Sequence, residues 1–249
     1  MLTEQRYEII LKLLSERRSI TVTELKKFLN ASESTIRRDL NALDEQGKLT
    51  KVFGGAVEKE KNSDVSTTEL SVSQKAGVNT GEKKLIAQYA AKLVAPNDFV
   101  YIDAGTTTEF LIDYLEEKTA TYVTNAVTHA RKLAVAGFKV ILIGGELKGI
   151  TEAVVGNQAI LTIERMNFNK GFFGTNGITK ESGFTTPDIN EALVKETAFE
   201  HCRNKYILTD SSKFGETSSV TFGNISDATI ITDSKPIGLY VKLANIITV

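Results

Sequence analysis

The sequence predicts an α/β protein with an N-terminal winged helix-turn-helix, followed by a larger parallel α/β domain. Two observations carry this. Within residues 1–57, apolar residues recur at helical spacing in three blocks, and a Gly-Gly hairpin follows. From residue 82 onward, short apolar strands alternate with helical stretches, the pattern of a parallel sheet. Residues 58–81 have neither texture: Lys, Glu, Ser, Thr and Asn dominate, aromatics are absent, and the stretch reads as a linker. The expected division is therefore 1–57, 58–81 and 82–249.

In the first block, Tyr7, Ile10, Leu13 and Leu14 share one face of a helix expected over 3–17. Thr21 and Glu24 have the spacing of a capping box for a second helix, whose stripe is Leu25, Phe28 and Leu29. Asn30-Ala31-Ser32 is a tight turn, and Ser32 is a good N-cap for a third helix over 33–46. Ile36, Leu40 and Leu43 face inward along it, and Gly47 is placed to close it as a left-handed C-cap. Lys48 to Val57, centred on Gly54-Gly55, reads as a β-hairpin. Three helices and a hairpin, with a tight turn between the second and third helices, make the winged pattern.

In the second domain, a helix over 82–94 ends before Pro96-Asn97-Asp98. Strands are expected at Phe99–Ile102, Thr121–Thr124, Val140–Ile143, Gly171–Phe173, Tyr206–Leu208 and Thr229–Ile231. Helices fall between them at 125–136 and 187–201, the latter with Pro187 at its first position.

The formal net charge of −1 excludes a polycation, so any nucleic-acid case rests on a local segment. Residues 1–61 hold twelve Lys/Arg against ten Asp/Glu, net +2; the remainder hold eighteen against twenty-one, net −3. The single cysteine, Cys202, excludes an internal disulfide and reads as a small buried hydrophobe. With His129 and His201 far apart it cannot build a zinc site, and no metal or cofactor is expected. The N-terminus lacks a signal-peptide layout, and no apolar run approaches the ~20 residues of a membrane span. A soluble, cytoplasmic protein is expected.

On the third helix, Ser34, Arg37, Arg38 and Asn41 point outward if Ile36 and Leu40 point in, with Thr35 beside them. Arginine can read guanine or hold a phosphate, and hydroxyls and Asn can do either. Lys48 and Lys51 on the hairpin could hold neighbouring phosphates and fix register. By themselves these residues also fit a solvated face, and helix-turn-helix units also bind proteins.

Four polar loops follow predicted strands: Asp103 through Gly105, Thr106, Thr107 and Thr108; Gly144-Gly145-Glu146; Gly174-Thr175-Asn176-Gly177; and Asp210 to Lys213. Ligands of open α/β sheets bind at the carboxyl ends of strands. A Gly-Thr turn opening a helix offers backbone N–H groups and close approach to an anion. Asp103, Gly105, Thr106, Thr107, Thr108, Gly145, Glu146, Asn176 and Lys213 are therefore the candidate effector-binding residues. Each loop alone is also ordinary turn chemistry.

Arg6, Ile10, Leu14, Ser32, Thr35, Ile36, Arg37, Arg38, Asp39 and Leu40 stand at the spacing of the N-terminal signature of the DeoR family of sugar-metabolism regulators, which this chain resembles. The resemblance places the helix-turn-helix on Ile20 to Asp39. It departs at Phe53, where the family usually has His or Tyr, which puts a polar wing contact at that point in doubt. It implies a C-terminal domain similar in fold to ribose-5-phosphate isomerases, and a repressor of a sugar operon relieved by a phosphorylated sugar. The implied partners are double-stranded operator DNA and further copies of the chain, with no membrane.

Within the family, Met166–Lys170, Gly174–Gly177, Thr185–Asp188 and Glu191–Lys195 resemble fructose-operon repressors of Gram-positive bacteria, which implies fructose 1-phosphate as effector. Gly144–Glu146 and Ile150–Ala153 resemble lactose/tagatose repressors and imply tagatose 6-phosphate. The fructose reading is placed first. The alternative of another class is an isomerase-like enzyme with a regulatory head, its base drawn from Asp103, Glu146, Asp188 or Asp210. Against it, Asn176 offers an amide where the related isomerases carry an acid, and an amide accepts no proton at neutral pH. No catalytic residue is assigned.

Overall fold

In the computed structural model, which describes residues 3–17, 19–46, 48–57, 65–234 and 245–249, the chain divides into two units, 1–64 and 65–249. The first contains α1 (Thr3–Arg17), β1 (Ser19–Thr21), α2 (Val22–Leu29), α3 (Glu33–Glu45), β2 (Thr50–Val52) and β3 (Gly55–Val57). The expected caps form. Thr21 Oγ1 accepts from the Glu24 N–H at 3.2 Å, and Glu24 Oε2 accepts from the Thr21 N–H at 2.8 Å. Asn30, at φ 47°, closes α2 in the left-handed region that Asn tolerates. Ser32 Oγ then accepts from the Thr35 N–H at 3.2 Å to open α3. Ile10, Leu14, Leu25, Ile36, Leu40 and Leu43 fill the core between the helices.

Gly47 lies outside the described residues; α3 closes on Gln46, whose N–H donates to the Ala42 carbonyl at 3.0 Å. The hairpin gains a strand that the sequence did not announce. Ser19–Thr21 pairs with β3, so the sheet order is β1-β3-β2. This pairing requires Gly55, because a Cβ there would sit 2.3 Å from the Ile20 carbonyl oxygen. Its neighbour Gly54 turns the hairpin at φ 82°, a conformation open to glycine.

The second unit opens with α4 (Val72–Ala76) and α5 (Thr80–Ala91), then β4 (Phe99–Ile102), α6 (Thr106–Asp113), β5 (Thr121–Thr124), α7 (Val127–Val135) and β6 (Lys139–Leu142). A hairpin follows, β7 (Glu146–Lys148) and β8 (Ala153–Val155), then α8 (Asn157–Ile163) and β9 (Phe168–Phe173). Next come β10 (Gly177–Thr179), β11 (Gly183–Thr186), α9 (Ile189–Glu200), β12 (Cys202–Leu208), β13 (Val220–Gly223), β14 (Thr229–Thr232) and β15 (Asn245–Thr248). Seven strands form a parallel sheet in the order β15-β14-β12-β9-β4-β5-β6. From β4 the chain moves outward through β5 to β6; from β9 it moves the other way through β12. The order therefore reverses between β4 and β9, where a ligand crevice opens at the carboxyl ends.

Two expectations need correction. Pro187 does not occupy the first helical position: α9 starts at Ile189, capped by Asp188, whose Oδ1 accepts from the Glu191 N–H at 2.9 Å. The reading of 58–81 as a linker fails over its described part, 65–81, which folds onto the second unit. The Ser66 N–H donates to Thr217 O at 2.9 Å and the Val72 N–H to Ile150 O at 3.2 Å. Lys83 Nζ donates to Lys75 O at 2.6 Å, and Asn79 Nδ2 donates to Asp210 Oδ1 at 2.9 Å. Glu69 pairs with Lys148. These ties are polar, so they leave no apolar periodicity to read. Residues 58–64 lie outside the described residues.

Candidate functional site

The crevice between β4 and β9 leads into a cavity. Gly105, Thr106 and Thr107 form one wall, Gly174, Thr175 and Asn176 a second, and Thr209, Asp210 and Lys213 a third. Gly105 offers no side chain to cap α6, so the first-turn N–H groups of that helix remain available to a ligand. Thr151 and Glu191 approach from the hairpin and from α9, and their side chains are hydrogen-bonded to each other.

Four lysines line this cavity: Lys75, Lys83, Lys195 and Lys213. The sequence had singled out only Lys213. Lys83 and Lys195 are each 5 % exposed and lie on the inward stripes of their helices, beside Ile86, Ala87 and Ala90 on α5 and Ala192, Ala198 and Phe199 on α9. A lysine within an apolar helical stripe is the signal that could have found them. Lys75 carries no such signal. Burial pushes the Lys75 ammonium below the usual lysine range, against the pull of Glu191, and does the same to Lys83, against Asp210.

Behind the wall, Asp103 is completely buried and pairs with Lys195. Its Oδ2 also accepts from the Gly174 N–H at 3.1 Å, while Oδ1 has no hydrogen-bond partner among the described residues. Burial raises the Asp103 carboxyl pKa, opposed by Lys195 and the Gly174 amide. Thr108, also fully buried, donates to Asp103 O at 2.7 Å and to Gly105 O at 2.9 Å. His129 on α7 is buried, and burial depresses its pKa to about 3.

Of the residues expected to touch the effector, Gly105, Thr106, Thr107, Asn176 and Lys213 line the cavity. Asp103 and Thr108 do not; they brace the loop from behind, their polar atoms drawn inward by bonds to neighbouring strands and to the loop itself. Gly145 and Glu146 do not line it either. The chain after β6 forms a hairpin rather than a helix, which leaves both residues exposed and brings Thr151, beyond the turn, to the cavity.

In the first unit, Ser34, Arg37, Arg38 and Asn41 are exposed on α3, and Lys48 and Lys51 are exposed around β2. Thr35 is half-buried, with its hydroxyl 2.9 Å from Ser32 Oγ. Arg37 donates to Glu33 Oε1 through Nη2 at 2.7 Å and Nε at 3.0 Å. Asp39, only 1 % exposed, accepts from Arg6 Nε at 2.7 Å and Nη2 at 3.0 Å. Two of the signature residues thus clamp α1 to α3 behind the exposed face.

Residues 6–62 match the DeoR-like helix-turn-helix domain and residues 78–234 the DeoR C-terminal sensor domain. The chain belongs to the DeoR family of transcriptional regulators. It is 42 % identical over 233 residues to the uncharacterized HTH-type transcriptional regulator FruR of Bacillus subtilis, covering 93 % of this chain and 91 % of that one. It is 36 % identical over 237 residues to the lactose phosphotransferase system repressor of Streptococcus mutans, covering 94 % and 93 %. The Staphylococcus aureus repressor of the same name is 34 % identical over 230 residues, covering 91 % and 90 %. Among solved structures, ribose 5-phosphate isomerase A of Methanocaldococcus jannaschii aligns with 55 % of this chain and 55 % of its own, at 12 % identity and a TM-score of 0.40. Among the described residues no helix is long and apolar enough to cross a membrane.

His129 gives the DeoR sensor unit a pH dependence. Its pKa rises from about 3 folded to ~6.5 unfolded. The stability of the neutral, buried imidazole is fully present above the unfolded value and is lost as pH falls toward the folded one. His129→Gln removes this proton linkage. Between pH 6 and 4, the excess unfolding free energy of wild type over the variant should shrink by about 1.4 kcal/mol per pH unit. Denaturant melts at several pH values measure it; parallel stability profiles would contradict it.

Proposed function

We propose that this regulator represses a sugar-utilisation operon, that the cavity takes a phosphorylated sugar, and that binding it releases operator DNA. The observation that carries the proposal is the gathering of four lysines, Lys75, Lys83, Lys195 and Lys213, in the lining of one cavity. Lys195 is paired with Asp103, and Glu191 lies 3.4 Å from Lys148, which Glu69 and Asp188 share. A phosphate dianion suits Lys75, Lys83 and Lys213, and the open N-terminus of α6 supplies N–H donors for its oxygens.

The naming of relatives as repressors of a lactose phosphotransferase system supports a sugar operon. Fructose 1-phosphate is the first candidate and tagatose 6-phosphate the second. The role is regulatory rather than catalytic: the cavity offers the amide of Asn176, and Asp210 Oδ1 accepts from Asn79 and from the Ser212 N–H at 3.1 Å. The protein works in the cytoplasm, without a cofactor, as a homo-oligomer. One recognition helix reads too few base pairs for useful specificity, so paired heads on repeated half-sites are required.

The exposed face of α3 enters the major groove, with Lys48 and Lys51 on phosphates. Arg38→Ala should weaken operator binding by ~1–3 kcal/mol if its contact is a bidentate base contact. Arg37→Ala should also weaken it, because an exposed pair such as Arg37–Glu33 is weak enough to exchange for DNA. Fluorescence anisotropy with operator DNA checks both, and wild-type affinity in both variants removes this helix from the groove.

The effector claim is tested in the same assay by adding fructose 1-phosphate, which should release the operator from the wild-type protein. Lys213→Met should bind operator and fail to respond at concentrations that release the wild type. A wild-type response from the variant places the phosphate elsewhere, and loss of operator binding together with the response makes Lys213 structural.

A further inference from the structure

Residues 65–79 open the second unit, and part of this arm walls the proposed effector cavity. Leu70, Val72, Lys75 and Val78 of this arm all line it. The arm's attachment to the rest of the second unit is slight. Its helix α4 buries none of its residues, and among the described residues its ties are a few hydrogen bonds and the ion pair Glu69–Lys148. Against that background Lys75 stands out. Its half-buried side chain lines the cavity, and its ammonium makes no hydrogen bond or ion pair with the described residues. Glu69 and Glu191 act on its charge, but both lie against Lys148, which Asp188 shares with them. A lysine that lines the cavity without a partner is placed to meet an anion delivered there.

We propose that Lys75 is a direct ligand of the effector's phosphate, so that the bound anion ties the arm to the body of the sensor. The inference rests on the cavity being the phosphosugar site. The arm is held from below as well, since Lys83 donates to the Lys75 carbonyl. The phosphate thus closes a clasp in which Lys75 reaches from the arm and Lys213 from the loop after β12. Because the arm is the stretch of chain that continues into the DNA-binding unit, the element that the effector fastens is the one through which the sensor speaks to the DNA-binding head. Such coupling requires a differential contact with a movable element, and Lys75 supplies it.

Hydrogen exchange on the full chain, with and without fructose 1-phosphate, fructose 6-phosphate and tagatose 6-phosphate, tests the inference. The sugar phosphate that binds should slow exchange in two places, at residues 103–109 and at residues 66–78. Lys75→Met should weaken its binding about tenfold or more, the loss of one hydrogen bond to a charged group. At saturation the variant should keep protection at 103–109 and lose it at 66–78, and Lys75→Arg should restore it. Protection at 103–109 with unchanged exchange at 66–78 in the wild type overturns the clasp and leaves the cavity reading standing. Absence of protection at both places with all three sugars overturns the cavity reading itself.

Discussion

A carboxylate buried at the end of β4 organises the sensor. Asp103 has no access to water, and an isolated charge there would cost several kcal/mol. Lys195 of α9 and the Gly174 amide after β9 offset that cost. The same residue's carbonyl accepts the Thr108 hydroxyl from α6, and its N–H donates to Phe172 O on β9 at 3.0 Å. One residue thus joins β4, β9, α6 and α9 at the point where the strand order reverses. The position of Gly105-Thr106-Thr107 in the cavity wall follows from this bracing. Removing either member of a buried pair leaves the other uncompensated, so Asp103 and Lys195 belong to the scaffold of the cavity even though Lys195 also reaches its surface.

The two units share a division of labour among their charges. In the first, Arg6 and Asp39 fasten α1 to α3 in bidentate geometry, and the outward face of α3 is left with Arg37 and Arg38. In the second, Lys195 and Asp103 fasten α9 to β4, and the cavity is left with Lys75, Lys83 and Lys213. In each case a neutralised buried pair sets the geometry and the remaining cations face the space where an anion would sit. Under the proposed function that anion is DNA phosphate in one unit and a sugar phosphate in the other, so a near-neutral chain can serve two anionic partners.

Whatever is local was legible in the sequence. The capping box at Thr21 and Glu24, the cap at Ser32 and the hairpin at Gly54-Gly55 each depend on residues within a few positions of one another. The central parallel strands β4, β5 and β14 showed as apolar runs because their residues are largely buried. The elements that escaped are short strands rich in glycine and threonine, such as β10 and β11, which pair with one another and, through β11, with β13. The arm over 65–79 escaped because backbone and polar side-chain bonds hold it, and these leave no periodicity. Asp103 and Thr108 read as ligand contacts because polar residues in a Gly-Thr loop look alike, whichever way they turn. Lys195 is 92 positions from Asp103 in sequence, and only the packing of α9 brings the two together.

The central claim is that the cavity recognises a phosphate on a sugar. Thermal unfolding of the full chain with fructose, fructose 1-phosphate and tagatose 6-phosphate tests it most directly, since a ligand that binds only the folded state raises the melting temperature by mass action. The account predicts a concentration-dependent rise with a phosphorylated sugar and none with free fructose. An equal rise with free fructose, or no rise with either phosphorylated sugar, would contradict it.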